Sequence, residues 1–493
     1  MAIKRYFLTK DTTITNAFKS DLLTRGTGSN MGASDILETF VIHGQTSASV
    51  NATNAEQSRV LVQFPIVQLL DDITTGIVPS SSVSYHLRMF NAPHGDTTPL
   101  SYSLDFSMVS GAAWAEGRGL DMEQYSDLGE ANWVAAIEGT NWQATGGDYY
   151  RNGAYSASYF FSGGLEDVDL NVDFAINKWR SGANANYGLL LKHRDNVISG
   201  NEGTFYTKKF FSRTSDFFFK RPYLEARWDS SRKDNRGNCV LSSALAPASD
   251  NLNTIFLYNN IRGELKDIPR LAGPGQKLLV SFYSSSAGAP SGNVLRVIDS
   301  SGALVTNVTG GLLSENGVNI TGTYSCSFAI TSSFEYVQDV WHSGGVEYFT
   351  GSIVPIPMSA SYLIYEDEYV TDVTNLRDSY IRGQKPRLRV FSRKKNWQPN
   401  IYSVATAEIE PEIIENSFYR LSRTIDNLEI IPFGTGSQNH TRLSYDVSGS
   451  YFELDTSTLE SGYSYDLQFV YQLQGQYRQQ TETFKFRIEE EAL

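Results

Sequence analysis

Hydrophobicity along this chain repeats with a period of two, and no other feature constrains its fold as strongly. Val83, Tyr85, Leu87 and Met89 alternate with Ser84, His86 and Arg88. Leu170, Val172, Phe174 and Ile176 alternate with Asn171, Asp173 and Asn177. The same pattern returns at Tyr465, Leu467, Phe469, Tyr471 and Leu473, and at Phe484, Phe486 and Ile488. Successive strand residues point to opposite faces, so each run predicts a strand with one buried and one wet face. Turn clusters separate the runs: Asn91–Gly95, Gly146–Asp148, Asp299–Gly302 and Gly434–Ser437. Short strands punctuated in this way predict sandwiches or barrels.

Helical spacing is scarce. Val67–Ile73 reads as one or two turns, and Asp121–Ala136 as a second short helix. No strand–helix alternation is visible, which argues against the α/β folds that host many soluble enzymes. Composition agrees. Tyr and Phe number 28 and 27 and charged residues only 19%, a mix that favours strands and excludes disorder. At 493 residues the chain has room for about three domains, each able to bury a core.

Asp229–Asp250, polar and then rich in Ala and Ser, reads as a linker. A second break falls at Val354-Pro-Ile-Pro357, where two prolines remove backbone donors. The expected domains are 1–230, 250–355 and 358–493, the last two immunoglobulin-like sandwiches by size and pattern.

A net charge of -13 argues against nucleic acid as a partner, because phosphate contacts need clustered Lys and Arg. No apolar run reaches the ~18 residues of a membrane span. The opening MAIKRYFLTKDTTIT lacks an apolar stretch of signal-peptide length, so no leader is expected, and Asn51, Asn307, Asn319 and Asn439 are expected to be unmodified. Cys239 and Cys326 allow at most one bridge; Cys326, on the aromatic face of its strand, reads as a buried free thiol. So few cysteines suit assembly in a reducing cytoplasm.

Chemistry-bearing motifs are scarce. The six histidines, at 43, 86, 94, 193, 342 and 440, have no carboxylate at ligand spacing, and no Gly-x-Ser-x-Gly elbow occurs. Gly273-Pro-Gly-Gln-Lys277 lacks the Gly-Lys-Ser/Thr of a phosphate loop and reads as a turn before the strand Lys277–Tyr283. A glycosidase would need two acids about 5–9.5 Å apart. Glu116, Asp121, Glu166, Asp167 and Asp169 are candidates, and no spacing selects a pair. Glu166-Asp-Val-Asp169 also suits a hard cation, which leaves metal binding open. No catalytic or cofactor-binding residue is assigned. The basic run Arg387–Lys395, ending toward Trp397 and Gln398-Pro399, reads as a strand with an exposed tip that an acidic neighbour would fit.

Several landmarks stand in order along residues 1–230. They are Asp11–Ile14, Asn30-Met-Gly32 with the strand Ile36–Ile42, Ser58–Phe64, and Ser84–Phe90. Trp114-Ala-Glu-Gly117, Asp127-Leu-Gly129, Asn132-Trp133 and Asp167–Trp179 follow, then Asn186–Leu191, Phe211-Ser212 and Arg221–Leu224. In this order they make the region resemble the DNRLRE-type β-sandwich domain family, which implies a jelly-roll-like sandwich, carbohydrate-binding relatives and no enzyme. Trp114, Trp133, Trp142 and Trp179 read as core rather than as ligand platforms. Arg59, ahead of a buried strand, is expected to pair with Glu225.

Lys10–Asn16, Gly28–Ile36, Trp341–Gly344, Glu347–Ser352 and Arg442–Gly449 carry a resemblance across the whole chain. It is similar to virion structural proteins of contractile-tailed phages of marine cyanobacteria. That implies a non-enzymatic component of the tail or baseplate periphery, in several copies, with other virion proteins as partners. It implies no cofactor, and assembly in the host cytoplasm. A glycan-binding adhesin, which predicts exposed aromatics on one face of the first sandwich, and a capsid decoration protein are the alternatives.

Overall fold

The computed structural model describes residues 2–43, 55–95, 100–120, 130–199, 205–271, 277–284, 290–356, 368–397 and 411–490. Asn51, Asp121–Gly129, Gly273–Gln276, Pro357 and Gln398-Pro399, singled out above, lie outside these. The chain is all-β, and its contacts divide it into one unit over Ile3–Trp228 and a second built from Asp229 onward.

The first unit is a jelly-roll-like sandwich. One sheet runs in the order Ile3–Phe7, Tyr223–Arg227, Ser84–Met89, Val168–Asn171. The other runs Phe205–Phe211, Ile36–Ile42, Glu56–Gln63, Leu189–His193, Tyr102–Met108, Ser156–Phe161, with Lys10–Thr15 paired to Glu56–Gln63. Pairing between these strands is antiparallel; Ser84–Met89 falls where alternation placed it, and Ile36–Ile42 is a strand, as the resemblance implies. The helix expected at Val67–Ile73 spans Ile66–Thr74 and buries Ile66 and Leu69. Ala131–Ala136, the described end of the second expected helix, is not helical.

Alternation misleads at Leu170–Asn177. The strand stops at Asn171, and Asp173–Arg180 is a helix. Asn171 Oδ1 accepts the Asp173 N–H, and Asp173 Oδ1 accepts the Tyr85 N–H at 2.6 Å, which turns the chain out of the sheet. Val172, Ala175, Ile176 and Trp179 are the buried residues. Their spacing of three, four and seven is that of one helix face.

In the second unit, the sandwich of the middle region has one sheet built on Asn253–Tyr258, Val318–Ala329 and Val297–Asp299 and another on Leu278–Ser284, Val337–Ser343 and Val346–Ile353. Asn307–Glu315 belongs to both: through Gly310 it pairs with Leu278–Ser284, and from Gly311 with Val318–Ala329. A Cβ on Gly310 would lie 2.9 Å from the Trp341 ring, so this corner needs glycine. Cys239 and Cys326 are free thiols buried in this core, and burial pushes the Cys239 thiol up to about 12.

The last sandwich packs the sheet Tyr369–Val373, Arg387–Lys394, Gly449–Glu453, Ser444–Asp446 against one containing Ser379–Ile381, Phe484–Glu489, Ser464–Leu473, Ser417–Arg423 and Glu429–Ile431. Tyr419 stacks on Phe452 at 4.3 Å, and Tyr471 Oη bonds the hydroxyls of Thr371 and Ser392, so the two sheets are joined by rings and by buried hydrogen bonds.

Asp229–Asp250 is not a free linker. Asp234 donates its N–H to Tyr445 O in the last sandwich, and the next residue, Asn235, donates to Thr254 O in the middle one. Arg232 forks onto Glu315 at 2.8 and 3.0 Å, while its backbone N–H and C=O bond Ser444 Oγ and the Tyr445 N–H. Arg236, its side chain 8% exposed, bonds Asp339 at 2.7 Å, Asp234 at 3.2 Å and Phe256 O. Asp339 also accepts the Trp341 Nε1–H. A Cβ on Gly351 would lie 2.4 Å from Asp339 Oδ1 and 2.9 Å from Arg236 Nε, so the facing strand makes room for this pair with a glycine. Cys239-Val240 then runs parallel to Pro355-Ile356. Proline fits there because its missing N–H takes no part in a two-residue edge pairing. The polar residues that suggest a solvated linker are the fasteners of a strap.

Candidate functional site

The sequence landmarks of the first unit meet in one knot. Asn30, fully buried, donates from Nδ2 to Glu116 O and Ala131 O, both at 2.7 Å, and its Oδ1 accepts the N–H groups of Gly32 and Gly119. A Cβ on Gly32 would lie 2.1 Å from Glu116 O; one on Gly117 would lie 2.3 Å from Asn30 Oδ1. Trp114, Trp133 and Trp142 are buried around Ile14, Leu61 and Leu190. Trp114 Nε1 donates to Tyr187 O and Trp142 Nε1 to Asn132 O. Trp179 is buried elsewhere, against Phe64. Gly188 has φ +87°, and a Cβ there would lie 2.0 Å from Val62 O, so backbone approach explains the glycine of Asn186-Tyr-Gly188.

Arg59 belongs to this knot and does not pair with Glu225. Its guanidinium lies 4.9 Å over Trp133 and donates to Gly146 O and Gln57 Oε1. Glu225 instead pairs with Arg5 and Arg227, its neighbours on the other sheet. The sandwich puts Arg59 and Glu225 on different sheets, which spacing in sequence does not reveal.

The four candidate acids among the described residues, Glu116, Glu166, Asp167 and Asp169, are bound by protein donors. Arg213 forks onto Glu116, and Glu116 also accepts the Asp11 N–H. Asp11, missed from sequence, is the perturbed member: burial raises its carboxyl to about 7, partly offset by the Arg213 N–H. Glu166 Oε1 accepts three bonds from Ser162 and Gly163. Burial raises its pKa, but these bonds bring it down to about 2. Asp167 Oδ1 accepts the Asn91 N–H. Asp169 bonds His86, Arg88 and Arg227, which outweigh burial and hold it well below the usual carboxylate range. Asp121 lies outside the described residues. Among the described residues no group of three or more His, Cys, Asp or Glu is placed to hold a metal.

One hydroxyl–imidazole contact is present: Ser281 Oγ stands 2.7 Å from His342 Nε2 and 2.7 Å from Asn307 Oδ1. Ser281 is buried, and no carboxylate bonds the ring among the described residues. A cavity of about 290 Å³ in the same sandwich is lined mainly by apolar groups, including Ile268, Leu271, Leu278, Leu312 and Tyr324.

Surface features divide likewise. In the run Arg387–Lys395, Arg387 pairs with Glu453, Arg389 with Asp446, Lys394 with Glu412 and Lys395 with Glu368. Arg393 lies 6.0 Å over Trp397. The acidic partner expected for this run is therefore supplied by its own sandwich. Among the exposed rings of the first unit, Phe160 and Phe205 stand on opposite edge strands of the larger sheet, while Phe7 lies 5.3 Å from Phe218, next in sequence to exposed Phe217.

These sheets and internally bound side chains define a multi-domain β-sandwich protein. No protein-family model matches the chain, and no curated protein does. Among solved structures it is similar to tandem Ig repeats of Dlar, at 8% identity and TM-score 0.14 over 43% of this chain and 82% of that one. A chimeric titin Z1Z2-Z1Z2 tandem gives 11% and 0.15 over 44% and 85%. Trypsin-activated alpha-2-macroglobulin from Escherichia coli gives 9% and 0.17 over 93% and 29%. Scores this low carry no argument about function, and the sandwich assignment rests on the sheets described above.

Proposed function

We propose that this chain is a non-enzymatic structural component of a phage particle, placed at the tail or baseplate periphery and acting by packing its sandwich surfaces on neighbouring virion proteins. The sequence resemblance to virion structural proteins motivates the reading. The observation that carries it is the strap, in which consecutive amides of Asp234 and Asn235 are bonded to two different sandwiches. Such a joint holds domains at a fixed angle, which a load-bearing adaptor needs and a flexible adhesin stalk does not. The buried pair Arg236–Asp339 adds geometric specificity, the best-attested use of a buried ion pair. The glycan-binding reading calls for aromatics sharing a face; Phe160 and Phe205 stand apart, and Phe7 with Phe217 and Phe218 is where that reading would place a ligand.

Immunogold labelling of intact particles with antibody against the purified chain tests the proposal. Label at a fixed place on the tail supports it. Label on the head moves the protein to a capsid role, and protein found only free or on cells overturns the structural reading.

A further inference from the structure

Lys208 is fully buried inside the first unit, on the strand Phe205–Phe211. Its Nζ stands 2.7 Å from Asn91 Oδ1, 2.9 Å from Gly164 O and 2.8 Å from Glu166 O. It also lies over the rings of Phe161 and Phe210, at 4.7 and 5.3 Å. All three hydrogen-bond acceptors are neutral. Among the described residues no carboxylate lies within ion-pair distance of this nitrogen, whereas buried Lys192 has Asp195 at 2.6 Å. An ammonium buried without a counter-ion is costly, and the group responds by giving up its proton. Burial accordingly lowers the Lys208 pKa to about 8, with Asp167 and Glu166 opposing from a distance.

The backbone holds Asn91 in place. Asn91 bridges Phe210, and the Phe211 N–H bonds Phe90 O while the Ala92 N–H bonds Lys209 O. Lys208 and Asn91 are thus diagonal cross-strand neighbours, close enough for long side chains to meet. Asp167, whose Oδ1 accepts the Asn91 N–H at 2.7 Å, brings a carboxylate to the same residue.

We infer that Lys208 and Asn91 form an intramolecular isopeptide bond. The neutral amine of Lys208 attacks Asn91 Cγ, the Nζ–Cγ bond forms and the Cγ–Nδ2 bond breaks. One proton passes from Nζ to Nδ2, and Nδ2 departs as ammonia. Atoms and charge balance without oxidant, reductant or co-reactant. The product removes the unpaired charge from between the two phenyl rings, and its single N–H can donate to one of Gly164 O and Glu166 O. It also ties together two residues 117 positions apart in sequence, so the unfolded chain loses the freedom that a long closed loop removes. The inference is independent of the proposed function.

The test is denaturing mass spectrometry of the full chain with peptide mapping. The expected mass is lower than that of the same chain without the bond by one ammonia, with one branched peptide joining Asn91 to Lys208. Lys208→Arg and Asn91→Ala should carry no such loss. Asn91→Asp should instead lose one water, since hydroxide replaces the amide as leaving group. A wild-type chain with no branched peptide, whose Lys208 amine is acylated by an amine reagent after denaturation, overturns the inference whether or not any variant folds.

Discussion

Two buried cations, one in each unit, are treated in opposite ways. Arg236 meets a carboxylate on each side and a carbonyl, with a glycine in the facing strand to admit the fork. Lys208 meets an amide and two carbonyls, and no charge. The first arrangement suits a permanent ion pair, because a planar guanidinium matches a carboxylate and does not deprotonate. The second suits an amine that gives up its proton. Burial alone therefore does not say what a charged residue is for; the charge of its acceptors does.

The largest effect on this comparison should come from Arg236→Ala. It strands Asp339 and Asp234 without a counter-ion and should cost about 3–5 kcal/mol, read as a drop in the urea midpoint of the Asp229-onward unit. An unchanged midpoint would mean that the strap contributes nothing. Gly188→Ala is next. It combines a positive φ with a Cβ 2.0 Å from a backbone oxygen, and should destabilise the first unit by about 3 kcal/mol.

Acid should act on the first unit through His193, buried against Tyr102 and Tyr206 with Nδ1 unpartnered. Burial lowers its pKa from 6.5 to about 4. The unfolded ring takes up its proton first, so this contribution is fully present above 6.5 and is lost as pH falls through about 4. In full it is worth roughly 3 kcal/mol. Asp11 works with the opposite sign: its stabilisation is present below 3.8 and is lost as pH rises through about 7. Melting curves of His193→Gln and Asp11→Asn should flatten the acid and alkaline limbs respectively; parallel shifts of the whole profile would contradict this assignment. The smallest effect is expected for Arg387→Ala, which removes a half-exposed pair with Glu453. It should change stability by under about 1 kcal/mol, less at high salt.

Strands with one wet face were legible in the sequence. Ser464–Leu473 and Phe484–Glu489 lie where alternation puts them, because period-two patterning reports burial directly. The helix Asp173–Arg180 was hidden because its first residues fit both periods, and the deciding Asp173–Tyr85 bond is 88 positions distant in sequence. The strap was misread for a related reason. Arg232, Asp234 and Arg236 look solvated until Glu315, Tyr445 and Asp339 are brought to them by the fold. At the candidate site, Asn30, Gly32, Trp114 and Gly188 were visible as landmarks, but not that they close on one another. Lys208 gave no signal at all, being one lysine in Phe-Tyr-Thr-Lys-Lys-Phe-Phe whose burial depends on Asn91 and Phe161.

Hydrogen exchange of the Asp234 and Asn235 amides in the full chain tests most directly the claim that the strap welds two sandwiches into one body. Both should exchange as slowly as the amides of core strands such as Val337–Ser343, and should speed up together in Arg236→Ala. Exchange at the rate of an open loop in the unmutated chain would contradict the account, and would return Asp229–Asp250 to the role of a linker.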